Sequence, residues 1–146
     1  MEKIIAINKK ASHDYQIIEK LEVGIKLTGA EVKSIKSGNA SLKESFVHIE
    51  GGELFIKNMH VGAYKPARIE NYNPIRNRKL LANKKEIMLF SGKTDQKGLS
   101  IIPLKIYLKK NLIKLEIGLA KGKKKWDKRE DLKKKDIERE LRRNIK

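Results

Sequence analysis

The chain has 146 residues, 35 Lys and Arg against 18 Asp and Glu, a formal net charge of +17 and a pI near 10.0. That length suits one domain, and with 39% hydrophobic and 36% charged residues it can bury a modest core, while no apolar run approaches the ~18 residues a membrane-crossing helix needs. The absence of Cys removes disulfides, thiol nucleophiles and Cys-based zinc sites, and three scattered histidines (His13, His48, His60) are too few to suggest a metal site, so no metal and no cofactor are expected.

Residues 1–10 read MEKIIAINKK, too short an apolar stretch for a secretory leader, and a cytoplasmic location is expected. From Tyr15 the apolar residues fall on odd positions (Tyr15, Ile17, Leu21, Val23, Ile25, Leu27), with His13 and Glu19 in phase, and period two means strand. Gly24 sits where a bend or bulge would let a curved sheet turn. Thr28 and Glu31 form a capping box for a short helix over residues 29–37, closed by Gly38. A box-like Ser41-Leu42-Lys43-Glu44 suggests one more turn. Val47 and Ile49, then Leu54 and Ile56, flank Gly51-Gly52, a two-residue hairpin signal.

Residues 63–77 carry Lys65, Arg68 and Arg76 with little periodicity and read as a long basic loop. Leu80, Leu81, Ile87 and Met88 then predict the one substantial helix of the body over residues 78–90. Ile102, Leu104, Ile106 and Leu108 alternate, Asn111 marks a turn, and Ile113, Leu115, Ile117 and Leu119 alternate again, a second hairpin. The whole predicts a mainly β protein: a small antiparallel OB-like barrel with about three short helices over residues 1–120, then a basic tail over 121–146 that is disordered in the free state.

The charge is uneven. Residues 121–146 hold 13 basic and 6 acidic side chains, a net +7, against +10 for the rest. Such a surplus calls for a polyanion whose counterions are released on contact. An anionic membrane or an acidic protein are the alternatives, but the tail offers only Leu132, Ile137, Leu141 and Ile145 as an apolar face, so nucleic acid is favoured.

Several clusters suit that partner. Lys9 with His13 and Tyr15 puts cations and flat rings near the first strand, for phosphate and for stacking, although Tyr15 packed inward is the ordinary alternative. The neighbouring His13 and Asp14 lack a Ser, Cys or second carboxylate to complete an acid–base site. Glu22 is either a surface carboxylate paired with Lys20 or Lys26, or an acceptor for base amino groups. Arg76, Arg78 and Lys79 stand at the entry of the predicted helix, where cations oppose the dipole by about 0.3–1 kcal/mol and an anion would bridge the mismatch. In the tail, Gly122, Lys123, Lys124, Trp126, Asp127, Lys128 and Arg129 combine a hinge, a lysine cluster and one aromatic suited to stacking; a merely solvated charged tail is the alternative.

Four segments in this order, NKKASHDY from Asn8, GIKLTGAEVKSIKSG from Gly24, RNRKLLANKKEI from Arg76 and LAKGKKKWDKR from Leu119, resemble the SsrA-binding protein family, also called small protein B. The resemblance implies an RNA-binding adaptor, not an enzyme. Its partners would be transfer-messenger RNA, bound through its tRNA-like domain, and the stalled 70S ribosome, whose decoding site and empty mRNA channel the tail would occupy, becoming helical there. Glu22, Leu81 and Asn83 match family positions tied to RNA binding. Lys9, His13, Tyr15, Lys33, Arg76, Arg78 and Lys79 join them on charge, stacking chemistry and their place in the matched segments. An RNA-modifying or RNA-cleaving enzyme on a similar barrel is the competing reading, which the missing nucleophile and metal cluster oppose.

Overall fold

The computed structural model describes residues 2–67, 69–95 and 98–122. In chain order the elements are β1 (Glu2–Ile7), α1 (Ala11–Asp14), β2 (Tyr15–Ile25), α2 (Gly29–Lys36), β3 (Ala40–Ser41), β4 (Phe46–Glu50), β5 (Glu53–Lys57), β6 (His60–Val61), β7 (Arg78–Leu81), α3 (Lys84–Thr94), β8 (Leu99–Lys109) and β9 (Leu112–Gly122), with a 3-10 turn at Lys65–Ala67. Seven strands form one antiparallel sheet in the order β1-β8-β9-β2-β7-β5-β4, and β3 pairs with β6. The sheet curls until β4 lies beside β8, although no ladder closes it among the described residues. This is the mainly β, OB-like architecture expected.

Inside the curl, Ile35, Leu42, Leu54, Ile56, Met59, Leu80, Ile106, Leu115 and Ile117 are fully buried. Each such side chain contributes about 1.5–3 kcal/mol on leaving water. A smaller cluster of Ala11, Ile102, Leu104 and Ala120 lies under α1 on the opposite side of the sheet. β8 serves both, because a register shift between Pro103 and Lys105 reverses its alternation: Ile102 and Leu104 face the small cluster and Ile106 the main core. Simple alternation through Ile102, Leu104 and Ile106 therefore does not hold.

The hairpins form where expected. Gly51 (φ 60°) and Gly52 (φ 76°) join β4 to β5, and Lys110 (φ 50°) with Asn111 (φ 65°) joins β8 to β9, both tight turns whose two central residues are left-handed. The Thr28–Glu31 capping box is present at α2. Within β2 the register shift falls between Ile17 and Glu19 rather than at Gly24. Gly24 instead permits close approach: it pairs with both Lys114 and Leu81, and a Cβ there would stand 3.3 Å from the Leu81 Cβ.

Other elements differ from the sequence reading. Residues 78–81 are a strand rather than the start of a helix, pairing with β2 through Leu80 and Leu81 and with β5 through Arg78 and Lys79. Two vacant sheet edges offered backbone partners that outweigh a weak local helical pattern, and α3 begins only at Lys84 behind its own cap, Asn83. Residues 2–7 are a strand with no visible alternation, because the register shift between Ile4 and Ala6 breaks the period. His13 belongs to the single turn α1, not to β2. Lys121 and Gly122, which the sequence reading counts with the tail, pair with Gln16 and Tyr15 as the end of β9.

Candidate nucleic-acid interface

The outer face of the sheet carries the charged strand positions. Glu22 opens it: its carboxylate accepts from Lys109 Nζ at 3.3 Å. Tyr107 first, then the hydrogen bond and charge of Lys109 and the charge of Lys114, hold the carboxyl below its usual range against an opposing effect of burial that is second only to that of Tyr107. Its partner is thus Lys109 across the sheet, not the neighbouring Lys20, which instead approaches Glu116 at 4.0 Å. Two residues on, the missing side chain of Gly24 lets Leu81 lie across the strand on the same face.

Leu81 is 50% exposed, and grooves open on both sides of it. One, of about 450 Å³, runs between the β4–β5 turn and the start of α3 and is lined by Gly52, Glu53, Lys79, Asn83 and Lys84 among others. The other, of about 280 Å³, is lined by Gly24, Leu27, Val32, Leu112 and Lys114. Asn83 caps α3: its Oδ1 accepts from the Glu86 N–H at 2.9 Å while the Glu86 carboxylate accepts from the Asn83 N–H at 3.2 Å. Asn83 lines this groove, and with its oxygen committed to the cap its amide NH₂ is a donor with no protein partner among the described residues. Lys79, in the same groove, is paired with Glu53 at 2.9 Å. An exposed leucine, a fixed acceptor, an amide donor and lysines, with slots on either side, suit unstacked bases and their phosphates.

A second assembly lies at the α2 end. Glu31, the N3 residue of the capping box, accepts from the Thr28 N–H at 3.0 Å, from Arg76 Nε and from Arg78 Nε at 2.7 Å. Arg78 also donates to the Met59 carbonyl at 2.6 Å and to the Pro74 carbonyl and Tyr72 hydroxyl at 3.1 Å each. Burial alone would raise the Glu31 carboxyl, but the hydrogen bonds from Arg76, Thr28 and Arg78 and the Arg78 charge bring it down to about 2. The Tyr72 phenol moves upward, by burial first and then by the charge of Glu31. A buried cation and a buried carboxylate are thereby both satisfied, and the loop after β6 is tied to α2.

The sequence-derived residues therefore separate. Glu22, Lys79, Leu81 and Asn83 come together on one face. Lys33 follows Val32 of the second groove, is exposed, and stands 5.5 Å from the centroid of the Tyr64 ring. Arg76 is about one-third exposed and bound to Glu31. Arg78 is a correction: it is fully enclosed, and every guanidinium nitrogen donates to an internal acceptor, so it offers no surface for phosphate in this conformation. The helix-entry argument for Arg76, Arg78 and Lys79 falls with it, since α3 starts five residues past Lys79. Tyr15 lies at the far end of β2, about 23 Å along the strand from Glu22 at 3.3 Å per residue. There it packs partly against Ala11, Ile102, Leu104 and Ala120, with His13 bonded to Asp14 at 2.8 Å and Lys9 in a separate cleft of about 330 Å³ with Lys10 and Lys43. Gly122 ends β9; Lys123, Lys124, Trp126, Asp127, Lys128 and Arg129 lie outside the described residues. Lys109, which pairs with Glu22, and Leu112, which lines the second groove, were missed, and nothing in their local spacing signals them.

A curled antiparallel sheet carrying this face, in a chain of net charge +17, defines a small RNA-binding β protein. The model of the SmpB protein family matches residues 5–146, and the chain belongs to that family. It is 55% identical over 141 residues to the SsrA-binding protein of Carboxydothermus hydrogenoformans, covering 97% of this chain and 95% of that one. Identity to the SsrA-binding protein of Bacillus subtilis is 52% over 141 residues, covering 97% and 90%. A solved structure described as "tmRNA-SmpB: a journey to the center of the bacterial ribosome" superposes with a TM-score of 0.67 at 43% identity, covering 82% of this chain and 84% of that one.

Proposed function

We propose that this chain is a non-catalytic adaptor of trans-translation that binds the tRNA-like domain of transfer-messenger RNA through the Glu22–Leu81–Asn83 face and delivers it to stalled 70S ribosomes. The observation that carries this reading is the exposed Leu81 between two grooves, flanked by a carboxylate fixed on one side and an amide donor on the other. Lysine-only binding would need none of the three. Lys33, Lys79 and Arg76 border the face and supply phosphate contacts. Lys9, His13 and Tyr15, at the opposite end, contribute a separate RNA contact rather than part of this one. From Gly122 the tail, including Lys123, Lys124, Trp126, Asp127, Lys128 and Arg129, reaches the decoding site and the empty mRNA channel and becomes helical there, with ordering entropy offset by phosphate contacts and one stacked base. The relatives' names and the tmRNA-bound neighbour support the choice of RNA.

Glu22→Lys tests the face. The substitution raises net charge from +17 to +19, so a diffuse electrostatic binder gains affinity at fixed salt. A recognition face that uses the carboxylate loses affinity for transfer-messenger RNA in a filter-binding or fluorescence titration. Tighter binding by the Lys variant rules out this use of Glu22.

A further inference from the structure

The β4–β5 hairpin carries a row of rings that the Glu22–Leu81–Asn83 face does not use. Val47, Leu54 and Ile56 turn into the core, so Phe46 and His48 on β4 and Phe55 on β5 belong to the outer face of the sheet. His48 stands opposite Phe55 in the ladder, and the two rings stack at 26° with centroids 5.5 Å apart. Phe46, two residues back along β4, has its ring centroid 6.4 Å from that of His48 and is 43% exposed. His48 is the informative member. Its Nε2 faces the Glu50 carboxylate at 3.4 Å, while Nδ1 is buried without a hydrogen-bond partner among the described residues. A buried nitrogen left unpartnered is unfavourable, and a leucine would cover the strand without one. What the imidazole adds is a flat π face between two phenyl rings.

The charges around this row are sorted along the hairpin. Glu50 and Glu53 stand opposite each other at the turn, and Glu53 is held by Lys79 at 2.9 Å. At the other end Lys57 lies opposite Phe46 with no ion pair among the described residues. Lys79 stands opposite Phe55 on β7, two residues before the exposed Leu81, and Glu53, Lys79, Leu81 and Asn83 line one groove. The rings therefore continue the Leu81 face onto β5 and β4, about 10 Å or two strand spacings away. We propose that Phe46, His48 and Phe55 form a stacking ledge for one unpaired base of transfer-messenger RNA, with Lys57 on its phosphate. The proposal rests on the reading of the Glu22–Leu81–Asn83 face as the interface with that RNA. A ring row suits any base, since every base has a π face, and the lysine at its end fixes the position of the strand without reading sequence.

The test uses full-length protein titrated with transfer-messenger RNA. Phe46→Leu keeps the apolar bulk and removes the ring, and should weaken binding by about tenfold, the scale of one lost stacked base; Phe46→Tyr should restore it. Because stacking releases no counterions, the Leu variant should keep the parent's salt dependence of log Kd, whereas Lys57→Ala should lower that slope by about one. A direct signal comes from Phe46→Trp in a Trp126→Phe background, which moves the chain's one tryptophan to the ledge, where its emission should be quenched as the RNA is added. If Leu81→Ala weakens binding while Phe46→Leu does not, or if the emission of that tryptophan stays unchanged at saturation, the ledge is overturned and the interface stands. If Leu81→Ala leaves binding unchanged, the interface reading fails and the ledge, as its continuation, fails with it. A loss at Phe46 seen only with ribosomes, and not with free transfer-messenger RNA, assigns the rings to ribosomal RNA and likewise overturns the proposal.

Discussion

Glu31 shows how one side chain is recruited twice. As the third residue of α2 it completes the Thr28 capping box, a local role visible from the spacing of the two residues. Its second role, neutralising Arg76 and Arg78, comes from residues 45 and 47 positions away that no local pattern links to it. Because its carboxyl sits at about 2 in the folded protein against an ordinary 4.5, its contribution to stability is complete above pH 4.5 and drains away as pH falls towards 2. That contribution is about 3 kcal/mol from the size of the shift, and it should appear as a fall in urea midpoint between pH 5 and 2. Glu31→Gln should cost about 3–5 kcal/mol at pH 7, since it leaves Arg78 buried without its counter-charge, and should flatten that pH dependence. Asn83 also has two roles, and they separate by substitution. Asn83→Asp keeps an oxygen for the α3 cap, so thermal stability should stay near wild type while RNA binding weakens through loss of the amide donor. Asn83→Ala should lose about 1 kcal/mol of stability as well.

At the level of elements, strand β7 decides the geometry of the interface. As a strand it alternates: Arg78 and Leu80 turn inward, Lys79 and Leu81 outward. A helix through the same residues would place Leu80 and Leu81 on roughly one side. The two leucines therefore give opposite results. Leu80→Ala should destabilise by about 2–5 kcal/mol in urea unfolding, as for any enclosed leucine. Leu81→Ala should change stability by no more than about 0.5 kcal/mol while weakening RNA binding. Equal losses of stability at both positions would contradict the alternation. A helix start was in fact legible a few residues later: Asn83 and Glu86 repeat the spacing of Thr28 and Glu31. The apolar residues at 80, 81, 87 and 88 drew the boundary too early because a four-residue strand is too short to show its own period.

For the molecule as a whole, the division between body and tail sets the remaining expectation. β9 ends at Gly122, with its last residues laddered to the start of β2, so a chain ending at residue 122 keeps every described strand. It should melt cooperatively close to the full-length protein and bind transfer-messenger RNA with only the loss expected of a weaker nonspecific charge term. Tagging of peptides on stalled ribosomes should fall to background. Replacing Asp127, Lys128 and Arg129 together with Ala changes net charge only from +17 to +16, yet should remove much of the tagging in a reconstituted rescue reaction. Near-normal tagging by that triple variant would mean that the tail acts only as a diffuse cation.

The sequence by itself determined what depends on near neighbours and on totals. Two hairpins, a capped short helix, a curled antiparallel sheet and a polyanionic partner all follow from period-two alternation, Gly-Gly and Asn turn chemistry, one capping box and the net charge. The family could also be reached from four short segments. Tertiary structure decided whatever depends on which strand lies beside which. It made β1 a strand through an edge on β8, and it reversed the alternation of β8 at a register shift. It enclosed Arg78, a residue that on charge alone belongs on the surface, because Glu31 and three further polar partners converge there. It also gathered Glu22, Leu81 and Asn83 into one face while leaving Tyr15 some 23 Å away along the same strand. A strand presents its side chains by parity and neighbour, and the neighbours of β2 are residues about 60 to 100 positions further along the chain. Local spacing carries no record of that choice; the ladder that satisfies the most backbone groups around one closed core does.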